Sequence, residues 1–333
     1  MAPRLTEFFG RAKLPIAAIC LMNLFACSPA PVKDLPPVVT AATERNVLDG
    51  TIRVMTLNVA HGRKEGRNQL LQGKEHIRNN LVDIAEFLKR NGADVVALQE
   101  ADAPSRWSGN FDHVALLAQQ AEYPWYCRIG HAQTWLFDYG TALLSHGYFI
   151  DTLAHTFQPT PPTMTKGFLL GGVAWKPIEG SDRIVPVDFV SVHLDFSSEA
   201  NREEQIGEMM ESLSDRMNPI VILGDFNSEW LDRDSAVEEL ARRLGLHAYL
   251  PHAQNLGTYP QTGRRLDWIL ISKELEFRSY AVLPDALSDH YAVVAEVALK
   301  DGVDLKNLTI TDRTFEMKSC KGDEICNTCT PSR

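Results

Sequence analysis

The chain has 333 residues, of which 44% are apolar, enough for one large domain or two ordinary ones. Its formal net charge is -10, and the sequence has no basic stripe of the kind that binds along nucleic acid. This balance counts against tight, sequence-independent binding of long nucleic acid. It does not exclude a phosphate substrate, because a bound divalent cation can supply positive charge locally.

Residues 1–26 are predicted to be an export signal, because basic residues precede an apolar run too short to span a bilayer. The run ends in Leu-Phe-Ala-Cys, which resembles the lipobox of bacterial lipoproteins and makes Cys27 the lipidated residue. Residues 27–50 contain four prolines and no hydrophobic period, so we predict a tether. We expect an exported protein anchored in the outer membrane, since Ser28 follows the lipid site. An ordinary cleaved signal or a buried leader is the alternative.

From residue 51 onward, apolar runs alternate with stretches of helical periodicity, which indicates an α/β fold. Neither an internal repeat nor a second composition is visible, so we predict one domain over 51–300 followed by an extension over 301–333. The predicted strands are 52–59, 94–98, 139–145, 168–175, 184–194, 220–223, 266–271 and 291–299, and the predicted helices are 75–90, 111–122, 199–217 and 235–244. We interpret 123–139 as an aromatic-rich segment and 272–283 as a strand or turn.

Four cysteines remain once Cys20 leaves with the signal and Cys27 carries lipid: one at position 127 and three in the extension. In an exported chain they are compatible with two disulfides or with free thiols. The Cys-x5-Cys-x2-Cys spacing of the extension could bind zinc, but the extension supplies no histidine.

Polar residues follow the predicted strands at the ends where open α/β folds tend to place their chemistry. Taken singly, each has an ordinary structural explanation: Asp225-Phe-Asn227 can be a simple turn, Glu100 a solvated carboxylate and His193 a core histidine. Gly224 can adopt backbone angles that aim the next side chains outward. The full set is Asn58, Glu100, His193, Asp225, Asn227, Asp267, Asp289 and His290.

Six motifs in order, NVAHG, LQE, VHLD, GDFN, RRLDWIL and SDH, resemble the endonuclease/exonuclease/phosphatase superfamily of deoxyribonuclease-I-like phosphoesterases. The resemblance covers about residues 51–297. It implies an α/β fold in four layers, an α-β-β-α sandwich of two mixed sheets with outer helices. It also implies metal-dependent hydrolysis of a phosphate ester.

The resemblance implies Mg²⁺ as the cofactor, with Mn²⁺ as a possible substitute. Hard oxygen ligands suit Mg²⁺, which accepts only one or two carboxylates. Glu100 is the expected metal ligand, Asn58 a neighbour of the metal, and Asp289 an alternative or outer ligand.

The remaining site residues are expected to act on the phosphate and on water. His290 would serve as general base or as the charge that meets the phosphate, held in its tautomer by Asp267. Asp225 and Asn227 would position the attacking water and the phosphate. His193 would donate to a non-bridging oxygen.

Several basic residues near these motifs have two interpretations. His61 and Arg63 could contact phosphate or be solvated loop residues, and the same alternatives hold for Arg264 and Arg265. At 146–148 the chain has His-Gly-Tyr where the family commonly has Arg and Pro, so a phosphate contact there is in doubt.

The expected substrate is a phosphodiester, with a nucleic acid and a phospholipid or sphingomyelin as candidates. A non-catalytic lipoprotein scaffold that retains the fold is the rival from another class. A zinc hydrolase is disfavoured, because the sequence contains no His-Glu-x-x-His motif. Apart from substrate and membrane, no partner is evident, and we expect a monomer.

Overall fold

A computed structural model describes residues 33–34, 46–64, 66 and 72–305. The strands are β1 Lys33–Asp34, β2 Leu48–Asp49, β3 Ile52–Asn58, β4 Val95–Asp102, β5 Trp125–Gln133, β6 Asp138–Ser145, β7 Phe149–Thr156, β8 Gly167–Lys176, β9 Val185–His193, β10 Ile220–Asp225, β11 Leu246–Ala248, β12 Asp267–Ser272, β13 Leu275–Leu283 and β14 Ala292–Leu299. The helices are α1 Lys74–Asn91, α2 His113–Gln120, α3 Glu199–Leu213 and α4 Ala236–Leu244, with a short 3₁₀ helix over Ala60–Gly62.

The strands form two mixed sheets. The eight-stranded sheet has the order β1-β7-β8-β9-β10-β12-β11, with β2 beside β8, and the six-stranded sheet has the order β13-β14-β3-β4-β6-β5. Each sheet contains an inner parallel pair, β9 with β10 and β3 with β4. A parallel pair needs a crossover, and α3 and α1 supply it.

Three apolar layers hold the fold together. The first lies between the sheets and includes Trp175, Phe189 and Leu223. The second lies between α1, α2 and the six-stranded sheet, and the third between α3, α4 and the eight-stranded sheet. The inner strands are buried on both faces, which explains their nearly continuous apolar sequences. The predicted four-layer α-β-β-α sandwich is confirmed.

Local signals explain where the helices begin and end. The α1 residues Ile77, Leu81, Ile84 and Leu88 are buried at helical spacing, and Gly92 ends the helix with φ of 57°. Likewise, α3 and α4 begin at serines whose side chains accept hydrogen bonds from backbone N–H groups of the first turn.

The sequence pattern does not predict β5 or β7, and it places residues 48–50 in the tether. Both strands mix apolar residues with polar or glycine residues, so their alternation is weak. Leu48 is buried in the core between the sheets, and Trp175 Nε1 donates to the Gly50 carbonyl at 2.7 Å. The tether prediction is therefore wrong for its last three residues, because they pack on the domain.

The phosphate interpretation of Arg264 and Arg265 is wrong. The buried Arg265 guanidinium donates to the carbonyls of Tyr249 and Leu250 and stacks 3.8 Å from the Trp268 ring centroid. Arg264 pairs with acidic residues of the 229–232 segment. Both arginines stabilise loops.

The signal-peptide prediction lies wholly outside the described residues, and the cysteine predictions lie partly outside them. The signal peptide, Cys27 and the cysteines of the extension lie there, whereas Cys127 is buried in the core between the sheets. Among the described residues, no helix is both long enough and apolar enough to cross a membrane.

His131 makes the stability of this fold depend on pH. Its ring nitrogens lie 3.0 Å from the hydroxyls of Thr141 and Thr156, and burial, together with the charge of Lys166, lowers its pKa to about 3. In the unfolded chain the same pKa is about 6.5, so below pH 6.5 the unfolded state binds the additional proton.

We therefore expect this histidine to cost about 2 kcal/mol of unfolding free energy between pH 7 and pH 5, because stability falls as pH falls toward the folded pKa. His131→Gln should remove this part of the pH dependence, measured by urea unfolding at both pH values. His252→Gln, at an exposed position, is the control. Equal pH dependence in the wild type and His131→Gln would contradict the prediction.

Candidate active site

The two parallel strand pairs direct their carboxyl ends to one edge of the sandwich. In the eight-stranded sheet, Asp225 at the end of β10 lies opposite His193 of β9 on one side and Asp267 of β12 on the other. In the six-stranded sheet, β3 ends at Asn58, and His290 precedes β14, the antiparallel neighbour of β3. The fold thus brings the predicted motifs together.

Asp225, Asp267 and His290 form the first group of the site. All three side chains are buried, and their ligand-capable atoms lie within 4.8 Å of one another, close enough to hold a metal ion. His290 Nδ1 lies 2.8 Å from Asp267 Oδ2, and its Nε2 lies 3.8 Å from Asp225 Oδ2. The Asp267 carboxylate therefore contacts one ring nitrogen of His290 while the other ring nitrogen faces Asp225.

The charge states of this group follow from burial and proximity. Burial alone would lower the pKa of His290, but the negative charges of Asp267 and Asp225 raise it to about 10. Burial raises the pKa of Asp225 to about 7, against the lowering effect of the His290 charge. The imidazole is thus cationic at neutral pH, and Asp225 holds a proton more readily than an exposed aspartate does.

Thr258 supports this arrangement, although no sequence signal indicates it. Its hydroxyl donates to Asp267 Oδ2 at 2.6 Å and accepts the backbone N–H groups of Leu266 and Asp267 at 3.0 Å. Among the described atoms, Asp267 Oδ1 is buried without a hydrogen-bond partner. The Thr258 hydroxyl fixes the carboxylate that in turn fixes His290.

Gly224 and Asn227 shape the turn around Asp225. A Cβ at Gly224, whose φ is 155°, would lie 2.0 Å from the Val192 carbonyl oxygen, so only glycine fits. Asn227 has φ of 49°, donates its backbone N–H to Asp225 Oδ1 and donates its side-chain amide to the Leu194 carbonyl. The segment is therefore a turn as well as a source of site residues.

Glu100 begins the second group, and a β-bulge sets its position. The pairing of β4 with β6 shifts between Gln99 and Ala101, and Glu100 has φ of 52°. Its carboxylate lies 3.1 Å from His61 Nε2 and 3.4 Å from Arg63 Nη1. Burial opposes ionisation of Glu100, but the charges of His61 and other neighbouring cations hold its pKa well below the ordinary value.

His61 and Arg63 are site residues and not solvated loop residues. His61, at φ of 55°, also places Nδ1 2.8 Å from Asp102 Oδ1, and the two carboxylates overcome burial to raise its pKa to about 9. Arg63 connects Glu100 to Asp289, whose Oδ2 lies 2.7 Å from its Nη2. The only sequence signal for Asp102 is its position two residues after Glu100 of the LQE motif.

Asn58 connects the first group to the six-stranded sheet. Its amide nitrogen donates to Asp225 Oδ2 at 3.1 Å, and its amide oxygen accepts the Ala60 N–H at 3.0 Å. The first contact crosses from one sheet to the other. Asn58 therefore fixes the spacing of the sheets at the site.

Lys166 is a further site residue without a sequence signal. It is buried, its ammonium lies 3.1 Å from His193 Nε2, and it lies 5.6 Å from the Tyr139 ring centroid. Burial lowers the pKa of Lys166, opposed by the charges of Glu100 and Asp225. Burial and Lys166 together lower the pKa of His193 well below its ordinary value, so this imidazole is neutral.

A cavity of about 380 Å³ opens beside the second group. Charged and polar side chains line part of it, and aromatic or apolar side chains line the rest. The lining residues are His61, Arg63, Glu100, Trp107, Phe137, Tyr139, Pro162, Thr163, Met164, Lys166, Phe196 and Ser197.

Comparison with solved structures finds the same fold in bacterial proteins. An endonuclease/exonuclease/phosphatase from Beutenbergia cavernae has a TM-score of 0.57 at 19% identity, covering 75% of this chain and 72% of that one. One from Bacteroides vulgatus has a TM-score of 0.56 at 15% identity, covering 75% and 99%. A Bacteroides thetaiotaomicron protein named as a mannosyl-6-phosphatase has a TM-score of 0.54 at 15% identity, covering 74% and 100%.

A comparison with curated protein sequences found no significant match. The model of the Endonuclease/Exonuclease/phosphatase family matches residues 55–290, more than half of the chain, and this span contains every residue of the two groups described above. The chain therefore belongs to the endonuclease/exonuclease/phosphatase family.

Proposed function

We propose that this chain hydrolyses phosphodiesters in a reaction that requires Mg²⁺ or, as a substitute, Mn²⁺. The observation that carries the proposal is the convergence of Asp225, Asp267 and His290 within 4.8 Å, linked through His193 and Lys166 to a second, cation-rich group around Glu100. Such an arrangement can move a proton and neutralise phosphate charge in one place. One neighbour of the same fold is named as a mannosyl-6-phosphatase, so a phosphomonoester is the second substrate to test.

The donor set of the second group fits a hard divalent cation. Glu100 and Asp289 are carboxylates that both contact Arg63, so they already flank one cationic group. We assign them as the metal ligands, with Asn58 as a neighbour. When bound, Mg²⁺ would neutralise charge on the phosphoryl oxygens and lower the pKa of a bound water.

The first group also has metal-ligand spacing, but we assign it to proton transfer. His290 Nδ1 is engaged with Asp267, and a cationic imidazole has no lone pair to offer a metal. Asp225, buried and with a pKa of about 7, would accept the proton of the attacking water. Its backbone contact with Asn227 holds the carboxylate in place.

Three side chains would bind the phosphate. His290 would meet it as a cation, which favours charge neutralisation over the alternative role as general base. Lys166, which lines the cavity, would contribute a second positive charge. The Lys166 ammonium lies 3.1 Å from His193 Nε2 and 3.4 Å from Nδ1, and His193 would donate to a non-bridging oxygen from the ring nitrogen that carries the proton.

Two biological substrates remain as candidates within this proposal. A nuclease acting on DNA or RNA is one, and a phospholipid or sphingomyelin phosphodiesterase is the other. The net charge of -10 weighs against long nucleic acid. Assays with p-nitrophenyl phosphate, bis-p-nitrophenyl phosphate, DNA, RNA and phospholipid vesicles separate these classes. A folded protein that binds no Mg²⁺ and cleaves none of them would support the non-catalytic scaffold.

Loss of the metal should stop hydrolysis of bis-p-nitrophenyl phosphate. We expect chelator to abolish activity and Mg²⁺ to restore it. Glu100→Gln keeps the shape of the side chain but removes its charge, so kcat/KM should fall about 10²–10³-fold, as for loss of one electrostatic group. The control is Glu238→Gln, which alters an exposed glutamate of α4. Activity that survives the chelator would contradict the metal requirement.

Removal of the proton acceptor should slow the chemical step. Asp225→Asn and His290→Gln are each expected to lower kcat about 10²–10⁴-fold, because the first removes the proton acceptor and the second removes a positive charge that meets the phosphate. Steady-state kinetics test this, with circular dichroism to establish that the variants fold. His252→Gln, at an exposed position, serves as the control. A folded Asp225→Asn variant with wild-type kcat would remove Asp225 from the mechanism.

We also propose that the protein is exported and anchored by lipid on Cys27, since the apolar run that precedes this cysteine is typical of a lipoprotein signal. When the full chain is expressed in a Gram-negative host with labelled palmitate, the wild type should be labelled and Cys27→Ser should not. Cys20→Ser, which changes a cysteine inside the signal, should remain labelled. Equal labelling of Cys27→Ser and wild type would argue against this site.

A further inference from the structure

The cavity beside Glu100 has one wall made of aromatic rings. Trp107, Phe137 and Tyr139 line this wall. The Trp107 and Phe137 ring centroids lie 6.2 Å apart at 68°, so the rings meet edge to face. Phe137 and Tyr139 are almost fully buried and join Ala132 in a small apolar cluster separate from the main cores. The rings of this wall are therefore held in place by packing against one another.

His61 contacts both the aromatic wall and the charged residue Glu100. Its ring meets Tyr139 at 4.8 Å and 84° and Trp107 at 5.7 Å and 87°, both edge to face. The same imidazole contacts Glu100. A group bound against this wall would thus lie directly beside the residues assigned to metal and phosphate.

Two further residues that line the cavity are exposed and apolar. Met164 comes from the loop before β8 and Phe196 from the loop after β9, and they are 41% and 64% exposed. Small-molecule pockets are lined mainly by apolar and aromatic side chains, so these two residues add to the apolar surface that the cavity offers a ligand. A methionine sulfur also makes favourable contacts with aromatic rings.

We propose that this cavity binds an aromatic ring carried by the substrate, so that the substrates are small phosphate esters with one flat, aromatic group. The inference rests on the proposed phosphoesterase function. A volume of about 380 Å³ lies at the lower end of the range for small-molecule sites, which suits a single compact group. The edge-to-face rings favour an aromatic group over an aliphatic chain, because aromatic pairs add an attraction between ring edge and ring face.

Lys166 fixes where the phosphate of such a substrate would lie. Its ammonium contacts both the Tyr139 ring and His193, at the boundary between the cavity and the first group. A phosphate at this boundary faces Asp225 and His290 while its organic group occupies the cavity. Cavity and site therefore form one continuous binding surface.

Binding of three phosphonates tests the inference without any need for turnover. Phenylphosphonate, cyclohexylphosphonate and methylphosphonate share the anion and differ in the organic group. With Mg²⁺ present, calorimetry should show phenylphosphonate binding about tenfold more tightly than methylphosphonate and a few-fold more tightly than cyclohexylphosphonate. The comparison of phenyl with cyclohexyl isolates aromaticity from size.

Variants link this preference to the cavity. Tyr139→Leu removes a buried ring, and Phe196→Ala removes an exposed one that does not support folding. Each should reduce the phenyl-to-methyl ratio of dissociation constants at least several-fold. Met217→Ala removes an 83% exposed apolar side chain outside the cavity and should leave the ratio unchanged.

Equal dissociation constants for the three phosphonates, or binding of none, would overturn the inference. Tighter binding of cyclohexylphosphonate than of phenylphosphonate would overturn it in favour of an aliphatic group. Failure of the proposed function is a separate result. It would be seen as no hydrolysis of bis-p-nitrophenyl phosphate or of p-nitrophenyl phosphate by a protein that still prefers phenylphosphonate.

Discussion

Two buried carboxylates, Asp225 and Asp267, lie opposite each other on adjacent antiparallel strands, and the site depends on how their repulsion is relieved. His290 supplies the compensating charge, since its ring lies between them at 2.8 and 3.8 Å. Leaving such a buried charge without its partner costs about 3–5 kcal/mol. The loop before β14 must therefore close on these strands, and Thr258 adds the hydrogen bond that holds Asp267 in register.

A polar seam extends this constraint across the sandwich. Gln99 of β4 donates to the Ser191 hydroxyl of β9 at 3.2 Å, and that hydroxyl donates to the Leu98 carbonyl at 3.0 Å. The hydrogen bond from Asn58 to Asp225 also runs from one sheet to the other, and it lies within the site. Apolar packing alone tolerates small slips between sheets, whereas buried hydrogen bonds do not. The two parallel pairs are thus locked so that their carboxyl ends form a single surface.

The sequence contains the elements of this arrangement but not all of its contacts. Apolar periodicity and strand-end polar residues are local properties, so the layers and the positions of Asn58, Asp225 and His290 next to strand ends could be predicted. Lys166 could not, because its role depends on burial beside His193 on a neighbouring strand. The bulge at Glu100 depends on pairing with a distant strand. Arg265 was misleading for the opposite reason, since its neighbours in sequence are site residues while its contacts are structural.

The site has two compartments with different physical requirements. Around Asp225, burial raises the pKa of the carboxyl group, which suits this group to exchange a proton. Additional cations there would lower that pKa and make the carboxylate less basic. Around Glu100, the cationic side chains of His61, Arg63 and Lys166 gather where phosphate charge must be offset. The aromatic wall lies on this second side, with Phe137 and Tyr139 from the turn and strand that follow β5 and Trp107 from the loop between β4 and α2. Loops there can change the organic group that is accepted without disturbing the proton-transfer compartment, which is fixed by strands.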